Sequence, residues 1–542
     1  MAMPAALSAL RSRNGLRRVL LAYGFYNFVE LACWIGIVLW AYDVGGAALA
    51  GTAAVVQLVP SALLAPALAS IGDRISRGTA LVVAHGAVAV ATLLTWLALV
   101  QDAPVWVVIA ASTTITTTVA VVRPIHYAAL PQLARGADEL VSANALSSAG
   151  ETFALFAGPV VAGILVSASG AAVVLLVSLV ASVLGTVLCL GLRLGPPDLE
   201  AEGDGGSLRA AFEGLRALAG DWASLALLLA MALSFVIGGA IDVMGVAYSD
   251  EVLGLGETGA GLVIGSVGVG GLVGAAVATA FAGGRHLVPV VAAAGVGMGL
   301  VLACLALVAA LGPAMALVAL VGMLESVLLV CARTLLQRAT DDRVLSRVFA
   351  VQESTSLLGL AVGSALAPIL IERFSAATAF VPLGLGVALL VVVAAFLARG
   401  LDTRAVFRPR ETGLLRGVPF LGALPAYELE RLAQRVGWRE VPAGTAVVTQ
   451  GEWGEHFFVI EEGRCSVEVD GILRDHQLGP RDAFGEIALL HVVPRTATVR
   501  ALDDTWLLTV DAADFLAAVT GSADGGALAR EVAAAHTQRD RS

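Results

Sequence analysis

Seven charged residues lie inside long apolar stretches of the sequence, where an ionised side chain is costly and is for that reason a functional candidate. They are Glu30, Arg123, Glu151, Asp242, Glu325, Arg333 and Glu353. A buried carboxyl group can take up and release a proton. Several such groups around one cavity would suit proton-coupled transport of a cationic or amphipathic substrate.

The position of each acid along its stretch suggests a role. Glu30 and Asp242 each lie in the first apolar stretch of one half of the apolar region, and we expect both to face a central cavity. Glu151 and Glu353 lie near the starts of their stretches. We group both with the cavity. The alternative is that they form part of a cytoplasmic gate.

Two arginines have a structural interpretation beside the functional one. Arg333 follows Glu325 by eight residues, which puts the two side chains about two helical turns apart on one face. An internal charge network explains this spacing as well as a substrate site does. For Arg123, near the end of its stretch, we favour pairing with the loop acid Asp73 over substrate binding.

These residues belong to a chain with the composition of a membrane protein. Of its 542 residues, 58% are hydrophobic and 14% charged, and the mean hydropathy is +0.87. Soluble domains have about 45–50% apolar and about 25% charged residues. All 33 basic residues are arginine, and the net charge of −10 averages over two unlike regions. The five cysteines share no metal-ligand or disulfide spacing, so we expect packed thiols.

Twelve apolar runs between residues 17 and 399 are each long enough to cross about 30 Å of hydrocarbon as a helix. The predicted spans are 17–43, 48–71, 79–100, 104–131, 140–167, 171–193, 222–249, 258–282, 287–310, 314–338, 345–371 and 376–398. The first has no small-residue cleavage site, so we expect a retained helix rather than a signal peptide.

The placement of arginine predicts the orientation of these spans. Arginines occur in the N-terminal tail and in every second loop after it, whereas the alternate loops contain only Arg373. By the positive-inside rule both termini are cytoplasmic. We therefore expect a multi-pass protein in the lipid bilayer of the inner (plasma) membrane.

The apolar region divides into two similar halves. Ser- and Gly-rich helix starts recur at residues 139 and 343, which are 204 residues apart. We predict a six-helix bundle over 1–194, a cytoplasmic linker over 195–221 and a second six-helix bundle over 222–399. Two such halves that rock about a site at the membrane midplane form an alternating-access transporter.

The loop between the second and third spans resembles a motif of a known family. It reads ALASIGDRISRG, residues 67–78, and is similar to the cytoplasmic loop motif G-x-x-x-D-R-x-G-R-R of the major facilitator superfamily. Asp73, Arg74 and Arg77 match, whereas two glycines and the last arginine of the motif are replaced. The resemblance implies that these three residues, with Arg123, form a cytoplasmic gate of charge pairs.

The fourth and fifth spans extend this resemblance. The sequence VVRPIHYAALPQLARGADELVSANALSSAGETFALFAGPVVAGIL, residues 121–165, is similar to the drug-efflux and siderophore-exporter branch of the superfamily. Gly158, Pro159 and Gly163 look like part of the antiporter signature of the fifth helix, but the spacing from Gly150 is one residue short. The resemblance covers about residues 15–400 and implies a secondary transporter that exports a small molecule.

A glycine-rich run in the eighth span invites comparison with a dinucleotide-binding loop. It reads GSVGVGGLVGAA, residues 265–276, and lies inside an apolar span with no strand before it. We therefore predict close packing between helices rather than a nucleotide site.

The composition changes after Gly400, where we predict a soluble domain. Residues 400–413 form a linker, and an amphipathic helical stretch begins at Leu414. Strand-like segments with turns at Gly451, Gly463 and Gly471 then predict a small β-roll or barrel. Residues 511–520 and 527–536 are predicted to be its closing helices. The domain is expected to cover 414–542.

A segment of this domain, FGEIALLHVVPRTATV at residues 484–499, resembles the phosphate-binding cassette of cyclic nucleotide-binding domains over its full length. The implied contact residues are Phe484, Gly485, Glu486, Ile487, Ala488, Arg495 and Thr496. Arg495 can pair with the single charge of a cyclic phosphodiester. Gly485 lets the backbone approach the phosphate, and Ala488 is small enough to let the phosphate come close. Glu486 can accept a hydrogen bond from the ribose 2′-hydroxyl, and Thr496 can contact the phosphate or a guanine amino group.

The resemblance implies cyclic AMP as the regulatory ligand, with cyclic GMP as the alternative. A β-roll that binds nothing and only mediates contacts is the competing interpretation, and the presence of both Glu486 and Arg495 argues against it. Arg481 and Ala483 depart from the family, where a glycine and an aromatic residue are common at these positions.

The predicted fold is an α-helical membrane protein with twelve transmembrane helices in two six-helix bundles, plus a cytoplasmic α+β cyclic nucleotide-binding β-roll. The predicted function is secondary active, proton-coupled efflux of a small molecule, regulated by the nucleotide. A membrane receptor or anchor that transports nothing is the alternative. A gated channel is disfavoured, because we find neither a TVGYG-like filter nor an arginine ladder.

The expected partners are the lipid bilayer, a cyclic nucleotide, protons and a small-molecule substrate of unknown identity. We expect no nucleic acid, no metal and no cofactor. The soluble part contains no nucleophile–base set, so we do not expect an enzyme. A homodimer is compatible with the sequence but is not required by it.

Overall fold

The computed structural model describes residues 14–72, 75–133, 137–192, 194, 220–282, 286–340, 342–404, 408–422, 424, 429, 432–491 and 493–520. The chain divides into two compact units, one with nearly all of residues 1–405 and the other with residues 406–542. The described part of the first unit is helical, and the second contains two β-sheets.

The first unit opens with a helical stretch, Asn14–Gly72, that contains two spans. Gly45 and Gly46 have non-helical backbone angles and divide it into α1 (14–44) and α2 (47–72). Gly46 has a φ of +64°, a conformation that glycine adopts without steric cost. This break supplies the turn between the first two spans.

The remaining spans follow in the predicted order. They are α3 (Arg77–Val100), α4 (Val105–Leu133), α5 (Ala137–Ser169), α6 (Ala171–Cys189), α7 (Trp222–Tyr248), α8 (Gly256–Ala282), α9 (Val288–Cys304), α10 (Leu311–Ala339), α11 (Asp342–Phe374) and α12 (Phe380–Ala398). Eleven stretches of the described chain are long and apolar enough to cross a membrane, and the first of them, Gly15–Leu64, includes nearly all of α1 and most of α2. The prediction of twelve spans is confirmed.

Glycines allow the backbones of neighbouring helices to come into direct contact. A Cβ atom at Gly270 of α8 would lie 1.7 Å from the carbonyl oxygen of Ala319 in α10, and one at Gly322 of α10 would lie 2.2 Å from that of Val267. The glycine-rich run therefore packs helices, as predicted.

The two halves of the bundle meet through similar contacts. A Cβ atom at Gly163 of α5 would lie 2.4 Å from the carbonyl oxygen of Glu257 in α8, and one at Gly51 of α2 would lie 2.6 Å from that of Ser364 in α11. Buried side chains of both halves, among them Ile35, Ile237 and Met244, share one apolar core.

The chain that leaves α12 is fixed to another helix of the same unit. A short helix, α13 (Leu401–Arg404), follows α12. The Asp402 carboxylate is 9% exposed, and its Oδ1 accepts hydrogen bonds from the backbone N–H of Leu287 at 2.9 Å and Val288 at 3.2 Å. These N–H groups begin α9 and have no partner within that helix, so Asp402 caps α9 from a distant part of the sequence.

The second unit begins its helices earlier than predicted. Helix α14 spans Pro409–Gly417 and α15 spans Pro419–Gly422, whereas the sequence analysis placed the first helical residue at Leu414. The reason is Pro409, whose fixed φ favours the first position of a helix. Part of the expected linker is therefore helical.

Eight strands then form two antiparallel sheets. They are β1 (Gly437–Val441), β2 (Ala446–Val448), β3 (His456–Glu462), β4 (Cys465–Val469), β5 (Ile472–Leu478), β6 (Ala483–Phe484), β7 (Thr498–Ala501) and β8 (Thr505–Asp511). The sheet orders are β1-β8-β3-β6 and β2-β7-β4-β5. Gly451, Gly463 and Gly471 all have positive φ, so the predicted turns are confirmed.

Two further helices of this unit are α16 (Glu486–His491) and α17 (Ala512–Thr520). Helix α17 matches the first predicted closing helix, and the second, 527–536, lies outside the described residues. Phe420 of α15 packs against Phe457 of β3 and Phe515 of α17, with ring centroids 5.8 and 6.0 Å away. The helices thus cover one face of the roll.

Candidate functional site

The second unit contains a cavity of about 420 Å³ whose wall includes all seven predicted nucleotide contacts. Phe484 ends β6, Gly485 follows it, and Glu486 to Ala488 open α16. Arg495 and Thr496 come from the segment before β7. The structure therefore brings together residues that are up to twelve positions apart in the sequence.

Arg495 is held at the cavity wall by backbone carbonyl groups. Its Nη1 donates to the carbonyl oxygen of Gly485 at 2.9 Å, and its Nη2 donates to that of His456 at 2.6 Å. The residue is only 6% exposed. Burial lowers the pKa of the guanidinium, and the nearby Glu486 carboxylate opposes that shift. A fixed, buried cation of this kind suits a ligand with one negative charge.

Two glycines make room for the Arg495 side chain. A Cβ atom at Gly454 would lie 2.2 Å from Arg495 Cζ, and one at Gly485 would lie 2.6 Å from Nη1. Gly485 also has a φ of +97°, which disfavours any other residue. Both positions therefore need glycine for the arginine to occupy its place.

Glu486 is the other buried charge in the cavity wall. It is 2% exposed and begins α16. Phe484, two residues earlier, stacks on Phe458 with ring centroids 5.1 Å apart, which fixes the chain as it enters the cassette. The site thus presents one buried cation and one buried acceptor to the same cavity.

Other parts of the cavity wall were not predicted as site residues. Val418, Pro419 and Phe420 contribute from α15 and the residue before it, and His476 and Arg481 contribute from β5 and the loop after it. Contact between α15 and the cassette depends on tertiary packing, so no local motif signals it. The sequence did mark Arg481 as unusual, because glycine is common at this position in cyclic nucleotide-binding domains.

In the first unit, Arg123 of α4 lies between two acids. Its Nη2 is 3.4 Å from Glu30 Oε2 of α1, and its Nε is 3.9 Å from Glu151 Oε1 of α5. The sequence analysis assigned Arg123 to a gate with Asp73 and the two acids to the cavity. The described contacts join it to the acids, and Asp73 lies outside the described residues.

Two tyrosines complete the surroundings of Glu151. The hydroxyl groups of Tyr23 and Tyr127 both donate to Glu151 Oε1, the second at 3.0 Å. His126, next to Tyr127, bonds Ser147 through Nε2 at 2.8 Å and stacks on Tyr23. The sequence analysis missed both tyrosines, because residues of three helices meet here.

A polar contact joins the two halves. Trp34 Nε1 of α1 donates to Asp242 Oδ2 of α7 at 2.8 Å. Glu325 of α10 is half-buried. Of the predicted acids of the second half, Asp242 is thus the one with a described hydrogen bond to the first half.

The remaining predicted residues are placed as follows. Arg333 and Glu353 are exposed, and Arg77 begins α3. In the described part of the chain no ion pair joins Arg333 to Glu325, since eight residues of helix separate the two Cα atoms by about 12 Å. The suggested Glu325–Arg333 network is thus not formed as a direct pair. Arg74 lies outside the described residues.

Comparison with protein families assigns both parts of the chain. The model of the Major Facilitator Superfamily matches residues 19–309, and that of the cyclic nucleotide-binding domain matches residues 438–521. The first match covers more than half of the chain. It does not identify the drug-efflux or siderophore-exporter branch, which stays a prediction.

Curated relatives match the C-terminal region. The cAMP-dependent protein kinase regulatory subunit of Debaryomyces hansenii is 39% identical over 101 residues, 19% of this chain and 22% of that protein. A cyclic nucleotide-gated potassium channel of Rhizobium etli is 34% identical over 134 residues, 24% of this chain and 37% of that protein. The chain thus spans well under half of the length of either relative.

A solved structure is also similar in this region. It is the regulatory domain of Toxoplasma gondii PKA with cAMP, at 23% identity and a TM-score of 0.22, covering 26% of this chain and 55% of that one. At that TM-score the likeness says nothing about function. With twelve apolar helices and the two family matches in hand, we conclude that the chain belongs to the Major Facilitator Superfamily and carries a C-terminal cyclic nucleotide-binding domain.

Proposed function

We propose that the protein is a secondary active transporter whose activity is set by a cyclic nucleotide bound to its C-terminal domain. The transporter would comprise the bundles 1–194 and 222–399 with the linker 195–221, and the sensor would be residues 414–542 after the linker 400–413. Both termini would lie on the cytoplasmic side of the inner membrane. No catalytic reaction is part of this proposal.

The observation that carries the nucleotide part is the pairing of buried Arg495 and buried Glu486 in the wall of one cavity. Its volume of about 420 Å³ falls within the range of small-molecule sites. A cyclic phosphate would take the charge of Arg495, and the ribose 2′-hydroxyl would donate to Glu486. Both buried charges would then gain a polar partner in the ligand.

Cyclic AMP is the ligand we favour. The relatives in the C-terminal region include regulatory subunits named for cAMP dependence. Thr496 in the cavity wall could also meet the amino group of a guanine, which keeps cyclic GMP as the alternative.

The transport part rests on the acids of the bundle. Glu151 receives two tyrosine hydroxyl groups and lies near Arg123, so its charge is satisfied in place. We assign it to positioning of the cavity wall, whereas for the exposed Glu353 the cavity and the cytoplasmic gate stay alternative assignments. Glu30 contacts Arg123 at 3.4 Å across a partly exposed pair, and Asp242 accepts from an indole N–H. These two acids, with Glu325, are our candidates for proton coupling.

Acids also outnumber bases in this set. The acids are Glu30, Glu151, Asp242 and Glu325. In the described part of the chain Arg123 is the base that contacts this set, through Glu30 and Glu151, and Arg333 is exposed. A cavity with an excess of acids attracts cations. A cationic or amphipathic small molecule is therefore the substrate class that we propose, moved outward in exchange for protons.

Regulation would pass through the connection between the two parts. The segment just after α14 lines the nucleotide cavity with Val418, Pro419 and Phe420, while Asp402 fixes the other end of the connection to the start of α9. A nucleotide that displaces α15 would pull on this connection and, through Asp402, on the start of α9. Such coupling requires tighter binding to one transport state, by about 1–3 kcal/mol.

The proposed ligand is tested by calorimetric titration of the purified full-length protein with cyclic AMP and, separately, with cyclic GMP. We expect saturable binding of cyclic AMP, and Arg495→Ala should weaken it by at least about a hundredfold, because a charge-assisted contact to the phosphate is lost. Failure of the folded wild-type protein to bind either nucleotide would contradict the proposal and favour a contact domain.

A further inference from the structure

We infer that Arg481 is an electrostatic capture residue of the nucleotide cavity, one that accelerates entry of the anionic ligand without holding it once bound. The inference rests on the proposed nucleotide site and adds a second cation with a different task from that of Arg495. The ligand class is a cyclic nucleotide monoanion.

The backbone holds Arg481 firmly in place beside the cavity. Its N–H donates to the carbonyl oxygen of Ile460 at 2.7 Å, and the N–H of Ile460 donates to the carbonyl oxygen of Asp482 at 2.9 Å. Asp482 Oδ2 also accepts from the N–H of Gly479 at 2.8 Å. The loop between β5 and β6 is thus pinned to β3 on both sides of Arg481.

The conformation of Arg481 is costly for an arginine. Its φ is +74°, in the left-handed region where a side chain other than that of glycine is disfavoured by about 1 kcal/mol or more. Strain of this kind persists where the surrounding structure enforces it, and it clusters at functional sites. The side chain at this strained position lines the cavity.

The charge balance of the cavity wall depends on Arg481. Four side chains that are charged at neutral pH line it: the acids Asp482 and Glu486 and the bases Arg481 and Arg495. Their formal charges cancel. Without Arg481 the wall would carry a net charge of −1 and would repel an approaching anion.

The two arginines differ in exposure and in partners. Arg495 is 6% exposed and donates to two carbonyl oxygens, so it acts once the phosphate is inside. Arg481 is exposed, and within the described part of the chain no carboxylate forms an ion pair with it. A charge at the rim of a site acts through water over about one Debye length, and its loss changes the association rate and its salt dependence.

The test is stopped-flow binding of an 8-substituted fluorescent cyclic AMP to the full-length protein at about 50 mM and about 500 mM salt. We expect Arg481→Ser to lower the association rate constant about threefold at low salt and not at high salt, with an unchanged dissociation rate constant. Arg481→Lys should keep the association rate of the wild type, because the charge remains.

The matched control is Arg439→Ser, which removes the same charge from the same domain. Arg439 lies on β1, is exposed and does not line the cavity, so its association rate should stay at the wild-type value. Equal slowing by both serine variants, or an effect of Arg481→Ser on dissociation alone, would overturn the inference. A wild-type protein that binds no nucleotide would instead refute the proposed site itself.

Discussion

At the residue scale, the nucleotide site depends on where two charges are buried. Arg495 is held by the carbonyl groups of Gly485 and His456, and Glu486 is almost fully enclosed. The order of residues in the cassette predicts which side chains take part. It does not predict the carbonyl of His456 or the space at Gly454, because both lie about forty residues upstream and come into place only through the turn before β3.

The role of Glu486 can be separated from that of Arg495 by a double-mutant cycle. Glu486→Gln should weaken cyclic AMP binding about tenfold or more, since a hydrogen bond to a charged group contributes about 1.5–3 kcal/mol. On the wild-type protein 2′-deoxy cyclic AMP should bind weaker by a similar factor. On the variant, the deoxy analogue should lose little further affinity, because the interaction is already absent.

Calorimetry of the four protein–ligand combinations checks this prediction. The stoichiometry of the titration and a separate thermal-melting scan show whether the glutamine variant is folded. An equal loss for the deoxy ligand on both proteins would mean that Glu486 does not contact the 2′-hydroxyl group.

At the element scale, hydropathy predicted the number of spans, but not how they pair. A bilayer requires each spanning segment to satisfy its own backbone, so length and apolar character suffice to find the helices. Which helices touch depends on small residues at particular depths. Gly270 of α8 touches α10 so closely that a Cβ atom has no room, whereas a Cβ atom at the adjacent Gly271 would meet nothing within 4 Å.

These neighbouring glycines allow a controlled test of the packing. Gly270→Ala should lower the melting temperature of the detergent-purified protein, because α8 and α10 must separate and overpacking costs about 1–3 kcal/mol. Gly271→Ala should leave it unchanged or raise it slightly, since alanine favours a helix by up to about 1 kcal/mol over glycine. Equal effects of the two substitutions would contradict the described contact.

At the scale of the whole molecule, the sequence separates a membrane region from a soluble domain, and the family matches agree with that division. Sequence patterns could not predict the contacts that would couple transport to proton binding. Arg123 and Glu30 are 93 residues apart, and Trp34 and Asp242 are 208 apart. Tertiary folding alone brings these residues together, so the sequence could mark them as candidates but could not pair them.

The central claim is that the nucleotide controls transport, and a flux assay tests it. The probe is the amphipathic cation ethidium, whose pH-gradient-driven movement is followed in proteoliposomes that contain the full-length protein, with and without saturating cyclic AMP on the side of the sensor. Arg495→Ala serves as the control for the nucleotide site. Glu30→Gln and Asp242→Asn serve as the controls for proton coupling.

We expect cyclic AMP to change the initial flux of the wild-type protein by about fivefold or more, in line with a coupling free energy of at least about 1 kcal/mol. The Arg495→Ala protein should transport at a rate that the nucleotide does not alter, and the two acid variants should lose gradient-driven flux. Equal wild-type flux with and without bound cyclic AMP would contradict the account. No flux from any of the proteins would favour a membrane receptor or anchor.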